Sequence, residues 1–229
     1  MMWPDLIRDR LTRLRGHTSR TCPPRKRLTP VSWKEKRSVI LCAGDSITAG
    51  SYPSRLQARF REVGIAVQVV NAGIPGYTSA DYLRYMKSRD LLAATNPKMV
   101  LLQLGTNDVR RRFLVASAPA GQFEKNMRSL VAAILLHRDP DGKAPLLLLA
   151  TVPPVRPTPF AFTRTSAHRV VEEINPAIRR LAEENALPLV DNFSLFTHHP
   201  DYLSGIHPNE EGYRALADNW YRAIREMSA

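Results

Sequence analysis

Two short segments of this chain carry residue types that could act together. Gly44-Asp45-Ser46-Ile47-Thr48 sets a serine just after an apolar, strand-like run, and Gly205-Ile206-His207-Pro208-Asn209-Glu210 sets a histidine just before an amphipathic helical pattern. A serine hydroxyl becomes a useful nucleophile only when a base takes its proton, and imidazole titrates in the right range to do so. The pairing is the chemistry of acyl transfer. Such sites also use a carboxylate to orient the ring. Three residues before His207, where that carboxylate is expected, stands Ser204; Asp201, six before, offers an alternative acid.

Two further positions could serve the same reaction. Gly73 ends a second apolar run, where a backbone N–H can approach a substrate oxygen; Asn107 follows a third, where its side-chain amide can donate to an oxyanion. Each has a plainer reading. Ser46 can cap a helix, Gly73 can make a tight turn and Asn107 can form an Asx turn. The Gly44-Asp45-Ser46 turn is not the G-x-S-x-G elbow, and no Gly-Lys-Ser/Thr phosphate loop exists. His198 and His199 beside Asp201 do not make a metal site, because adjacent histidines face apart and no third ligand accompanies them; no cofactor is expected.

The elements that must position these residues alternate along the chain. Apolar runs at 38–43, 66–71, 98–104, 145–151 and 187–191 are short, rich in Val, Ile and Leu, and mostly unalternated, as strands buried on both faces are. Helical patterns fall near 53–63, 79–94, 119–138, 168–185 and 209–226. This alternation predicts an α/β fold, a three-layer α/β/α sandwich on a five-stranded parallel sheet. Ligands bind such sheets beyond the carboxyl ends of the strands, where Ser46, Gly73 and Asn107 all fall.

GDSIT at 44–48, NAG at 71–73, GTND at 105–108 and GIHPN at 205–209 together resemble the four blocks of the SGNH hydrolase (GDSL esterase/lipase) superfamily. The resemblance runs over roughly residues 38–226. It implies a flavodoxin-like sandwich and a serine esterase or lipase that passes through an acyl-enzyme. By position, Ser46 resembles the nucleophile and its N–H one oxyanion donor. Gly73 and Asn107 resemble the other two donors, and His207 the general base. The superfamily usually reads D-x-x-H in its last block, so Ser204 is a departure. Three outcomes stay open: a working Ser–His dyad, substitution by Asp201, or a non-catalytic binding relic of the fold. A flavodoxin-like nucleotide or flavin binder is disfavoured, since the first strand-end loop lacks a phosphate-cradling run.

The family acts on many esters, so substrate must come from the loops at 109–118, 152–167 and 192–203. Arg110, Arg111, Arg112, Arg156 and Arg164 fall there, with Asp45 beside the serine; Asp45, Arg110 and Arg156 are read as substrate contacts. The arginines favour an anionic substrate such as a phospholipid or acidic sugar ester, against the alternative of solvated surface charges. The brief Ser51-Tyr52-Pro53 segment after the nucleophile turn suits a shallow site for short acyl groups such as acetyl.

The net charge of +12 is concentrated at the N-terminus. Residues 1–37 hold eleven Lys/Arg against three Asp/Glu, a net +8, which leaves +4 for residues 38–229. The first segment reads as a flexible basic extension, or an over-long start, suited to anionic surfaces, and residues 38–229 as one domain. No stretch of 18 apolar residues and no apolar leader is present, and Cys22 and Cys42 form no framework. The expectation is a cytoplasmic protein with an ester as its small-molecule partner.

Overall fold

The computed structural model describes residues 38–110, 119, 121–159 and 161–228. The basic N-terminal segment 1–37, Arg111 and Arg112 lie outside the described residues.

Five parallel strands form the sheet: β1 (Ser38–Gly44), β2 (Val67–Gly73), β3 (Met99–Gln103), β4 (Leu146–Ala150) and β5 (Leu189–Val190), in the order β2-β1-β3-β4-β5. The strand side chains explain why both faces must be covered. Leu41 and Ala43 of β1, Val100 and Leu102 of β3, and Leu147 and Leu149 of β4 enter one core. Ile40 and Cys42, Met99 and Leu101, and Leu148 and Ala150 enter the other. Successive side chains of a strand point to opposite faces, so a continuous apolar run demands helices on both sides.

The first core is covered by α3 (Ser79–Ser88), α4 (Leu91–Thr95), α5 (Gln122–Leu136) and α7 (Asn175–Glu184), with Val170 and Ile174 entering it just after α6 (Arg164–Arg169). The second is covered by α1 (Ser46–Ala49), α2 (Tyr52–Glu62), α8 (Asn192–His198) and α9 (Glu210–Ser228). Trp220 of α9 and Tyr52 of α2, both fully buried, stack at 6.3 Å between centroids. The result is the three-layer α/β/α sandwich expected from the alternation. No helix among the described residues is long and apolar enough to cross a membrane.

Three expected elements differ. The helical pattern 79–94 breaks at Asp90, whose φ of 45° lies in the left-handed region. The pattern 168–185 is α6 and α7 joined by a π-helical turn, Val170–Ile174. Pro176 opens α7 and has no N–H to return to the carbonyl four residues back; a wider turn fits that missing donor. The expected loop 192–203 instead holds α8, whose N-cap Asp191 accepts from Ser194 N at 3.1 Å, followed by a 3₁₀ turn, Pro200–Tyr202. After it, β6 (Leu203–Ser204) and β7 (His207–Pro208) pair antiparallel.

Candidate active site

Register brings the carboxyl ends together. Gly44 lies beside Gly73 on one side and Gln103 on the other, so the turns after β1, β2 and β3 open onto one edge of the sheet. Ser46 is the first residue of α1. Asp45, not Ser46, is its cap, accepting from Ile47 N at 3.0 Å, which leaves the Ser46 hydroxyl for other partners. Its partner is His207: Ser46 Oγ and His207 Nε2 lie 2.9 Å apart, joining residues 161 positions apart in sequence.

The β6–β7 hairpin sets the histidine. Ser204 pairs directly with His207, with Gly205 and Ile206 as the two turn residues. Gly205 has φ of 67°, which suits glycine at the first position of a tight hairpin turn. Directly opposed residues in an antiparallel pair put their side chains on one face, with Cβ atoms about 5 Å apart. The helix behind is capped by Asn209, whose Oδ1 accepts from Gly212 N at 2.9 Å. Burial alone lowers the His207 pKa from its ordinary 6.5; no carboxylate contributes. In this structure Asp201 sits exposed in the 3₁₀ turn, its carbonyl accepting from Asn209 Nδ2 at 2.8 Å, and its carboxylate accepts no hydrogen bond from the imidazole.

Asn107 opens a 3₁₀ turn, Asn107–Val109, and its Nδ2 donates to Tyr77 O at 3.0 Å. The turn is braced from beneath. Buried Asp108 accepts from Ser79 N at 3.0 Å and Ser79 Oγ at 2.5 Å, and Asn126 Nδ2 donates to the same hydroxyl at 2.9 Å. Val109 O accepts from Ser166 Oγ at 2.7 Å. Asn175 grips Val152 at both backbone groups, at 2.8 and 3.1 Å, and so anchors the start of the segment that walls the site.

Gly73 is glycine for a reason other than the one expected. A Cβ there would collide with the Ala49 nitrogen and Thr48 carbonyl carbon of α1, so this close approach excludes every other residue. Its N–H donates to Asn71 Oδ1 at 3.0 Å and so already has a partner in this state.

A cleft of about 330 Å³ is lined by Ser46, Asn107 and His207, together with Arg110 and Thr158. Its apolar lining comes from Pro75, Ala161, Phe162 and Ile206. Pro75 and Ile206 were given no role from the sequence, although Ile206 lies inside the GIHPN block and Pro75 two residues after NAG. Two expected substrate contacts are corrected. Asp45 is fully buried, and its carboxyl, pushed up to about 6 by that burial, points into the protein as a helix cap. Arg156 donates to Pro200 O, which ties the 152–163 segment to the 3₁₀ turn ahead of the hairpin and takes its guanidinium away from the cleft lining. Buried Cys42, its thiol raised to about 12, is no rival nucleophile.

The class of protein that this sheet order and this Ser–His pair define is a three-layer α/β/α sandwich with a histidine-paired serine just after its first strand. The match to a family profile is specific: residues 42–215 fit the GDSL-like Lipase/Acylhydrolase family, and the chain belongs to it. An acetylxylan esterase of Xylanibacter ruminicola is 26% identical over 222 residues, covering 84% of this chain and 44% of that protein. The thioesterase 1/protease 1/lysophospholipase L1 of Escherichia coli (strain K12) is 27% identical, covering 78% of this chain and 79% of that one. Among solved structures, LAE5, an alpha/beta hydrolase enzyme from the metagenome of Lake Arreo, Spain, superposes with a TM-score of 0.69 at 24% identity, over 86% of this chain and 99% of the other. The chain spans about half or less of the first curated relatives it matches, 44%, 20% and 55% of their lengths.

Proposed function

We propose that this chain is a serine carboxylic-ester hydrolase for short acyl groups, working through a Ser46–His207 dyad. The observation that carries this reading is the 2.9 Å contact between Ser46 Oγ and His207 Nε2 at a cleft that Asn107 also lines. His207 Nε2 takes the hydroxyl proton as Oγ bonds to the ester carbonyl carbon. The Ser46 N–H and Asn107 Nδ2 receive the developing oxyanion, and the Gly73 N–H joins them by leaving Asn71. The carbon–alkoxide bond breaks, the imidazolium gives its proton to the departing alcohol, and an acyl-Ser46 ester remains. Water then adds to that ester with His207 as base, the acid leaves, and the proton returns to Oγ.

The relatives named as acetylxylan esterase, arylesterase and thioesterase support ester chemistry, and the first supports acetyl as the group removed. The cleft is at the small end of ligand sites, which fits a short acyl chain. The intact Ser46–His207 bond argues against a binding relic of the fold. The test is a burst of nitrophenol from p-nitrophenyl acetate, with acyl label on Ser46 detected by mass spectrometry of acid-quenched protein. A well-folded protein giving neither would end the proposal.

The Ser204 departure yields a pH prediction. The base works neutral, and burial lowers its pKa below 6.5. kcat/KM should therefore fall as pH drops through a midpoint below 6.5 and level off on the alkaline side of it. In Ser204→Asp, the new carboxylate shares a face with His207 and stabilises imidazolium. The acid limb should move to higher pH, and kcat at pH 8 should rise about tenfold, roughly 1.4 kcal/mol of barrier. An acid limb that stays in place would show that the side chain at 204 does not reach the ring.

A further inference from the structure

We infer that Arg110 makes this site selective for esters that carry an anionic group, a carboxylate or a phosphate, beside the scissile acyl bond. The inference rests on the hydrolase reading above and adds the substrate class to it.

Four observations meet at this side chain. Arg110 lines the same cleft as Ser46, Asn107 and His207. Among the described residues no acidic residue lines the cleft, and with His207 neutral Arg110 is the one formal charge that does. Its guanidinium makes no ion pair or hydrogen bond with any described residue, whereas Arg156 is spent on Pro200. Its backbone is fixed relative to Asn107: Arg110 N donates to Asn107 O at 3.2 Å, closing the 3₁₀ turn. In a 3₁₀ turn the side chains at i and i+3 eclipse, and three residues advance about 6 Å. Asn107 and Arg110 therefore project from one side of the turn, an amide donor and a cation in line.

An ester whose carbonyl oxygen meets Asn107 would place an anionic substituent a few bonds further along that line. Arg is suited to such a group, since its planar fork matches carboxylate and phosphate oxygens in pairs. The charge also lies far enough from the carbonyl to bind ground and transition states alike, so it should act through KM.

The experiment compares three aryl acetates, neutral methyl 4-acetoxybenzoate, 4-acetoxybenzoate and 4-acetoxyphenyl phosphate, on the unaltered chain, Arg110→Gln and Arg110→Lys. The readout is the ratio of kcat/KM for each anionic ester to that for the neutral one. Comparing proteins on the same ester cancels intrinsic reactivity. The ratio should fall about tenfold in Arg110→Gln, mostly through KM, with Arg110→Lys between. On the unaltered chain, 0.5 M salt should raise KM for the anionic esters more than for the neutral one. A fall confined to one anionic ester still supports the inference and identifies the group as carboxylate or phosphate. Ratios that are equal in all three proteins overturn it while leaving the hydrolase reading intact. No turnover of any ester by the folded, unaltered chain overturns both.

Discussion

Ser46→Ala is expected to lower kcat on p-nitrophenyl acetate by roughly 10⁴-fold, to the level left by binding and oxyanion donors. The substitution removes one oxygen and little else. Asp45 caps α1 through Ile47 N, so the helix keeps its cap, and alanine is the best helix former. Thermal unfolding should therefore be unchanged, which separates lost chemistry from lost fold. The loss should be smaller than the ~10⁶-fold seen when a complete triad loses its serine, because a dyad without a carboxylate starts from a slower rate. His207→Ala should cost about as much, and the double variant no more than either alone, since neither side chain activates anything without the other. Additive losses would mean that the 2.9 Å contact is not a working pair. A Ser46→Ala protein retaining a tenth of the activity would remove the covalent mechanism.

Asn107→Ala should lower kcat by 10²–10³-fold, about 3–4 kcal/mol of barrier, with little change in KM. The asymmetry follows from where the donor acts. The side-chain amide meets charge that exists only once the carbonyl carbon has become tetrahedral, so its removal costs the transition state and spares the ground state. One amide hydrogen is engaged by Tyr77 O at 3.0 Å, which fixes the direction of the other. The variant leaves that carbonyl without its donor, but the Ser79–Asp108–Asn126 network and the Ser166 bond to Val109 continue to hold the turn. Asn107→Asp should be worse than alanine, because it keeps the shape, loses the donor and sets a negative charge where the oxyanion forms. If Asn107→Asp matched the parent protein, the amide would be structural and the oxyanion would lie elsewhere. A loss seen mainly in KM would point to substrate positioning instead.

Much of the fold was legible because burial on both faces is a local pattern. The runs at 38–43, 98–104 and 145–151 are apolar at nearly every position that a central parallel strand buries, with Ser38, Gln103 and Thr151 the buried polar exceptions, and the strands fall within a residue or two of them. Helix ends were less legible. Asp90 and the π-helical turn interrupt patterns that read as continuous, because a positive φ or a missing proline donor does not disturb hydrophobic spacing. Helix α8 is seven residues long, too short for periodicity to register, and only the Asp191-to-Ser194 cap marks its start.

By itself, the sequence determined which residue types stand at the ends of the strands: a serine, a glycine, an asparagine and, before the last helix, a histidine. Strand periodicity forces those positions to one edge of the sheet. Tertiary structure alone decided what each side chain meets there. Asp45 turns inward because α1 needs a cap, and Gly73 is held by the closeness of α1 and β2. Ser204 pairs with His207 because two turn residues fix the hairpin register, and Arg110 shares a cleft with Asn107 because its N–H closes the 3₁₀ turn on the Asn107 carbonyl. Local pattern encodes the face on which a residue lies. Register and long-range packing, summed over partners up to 161 positions away, encode its neighbours.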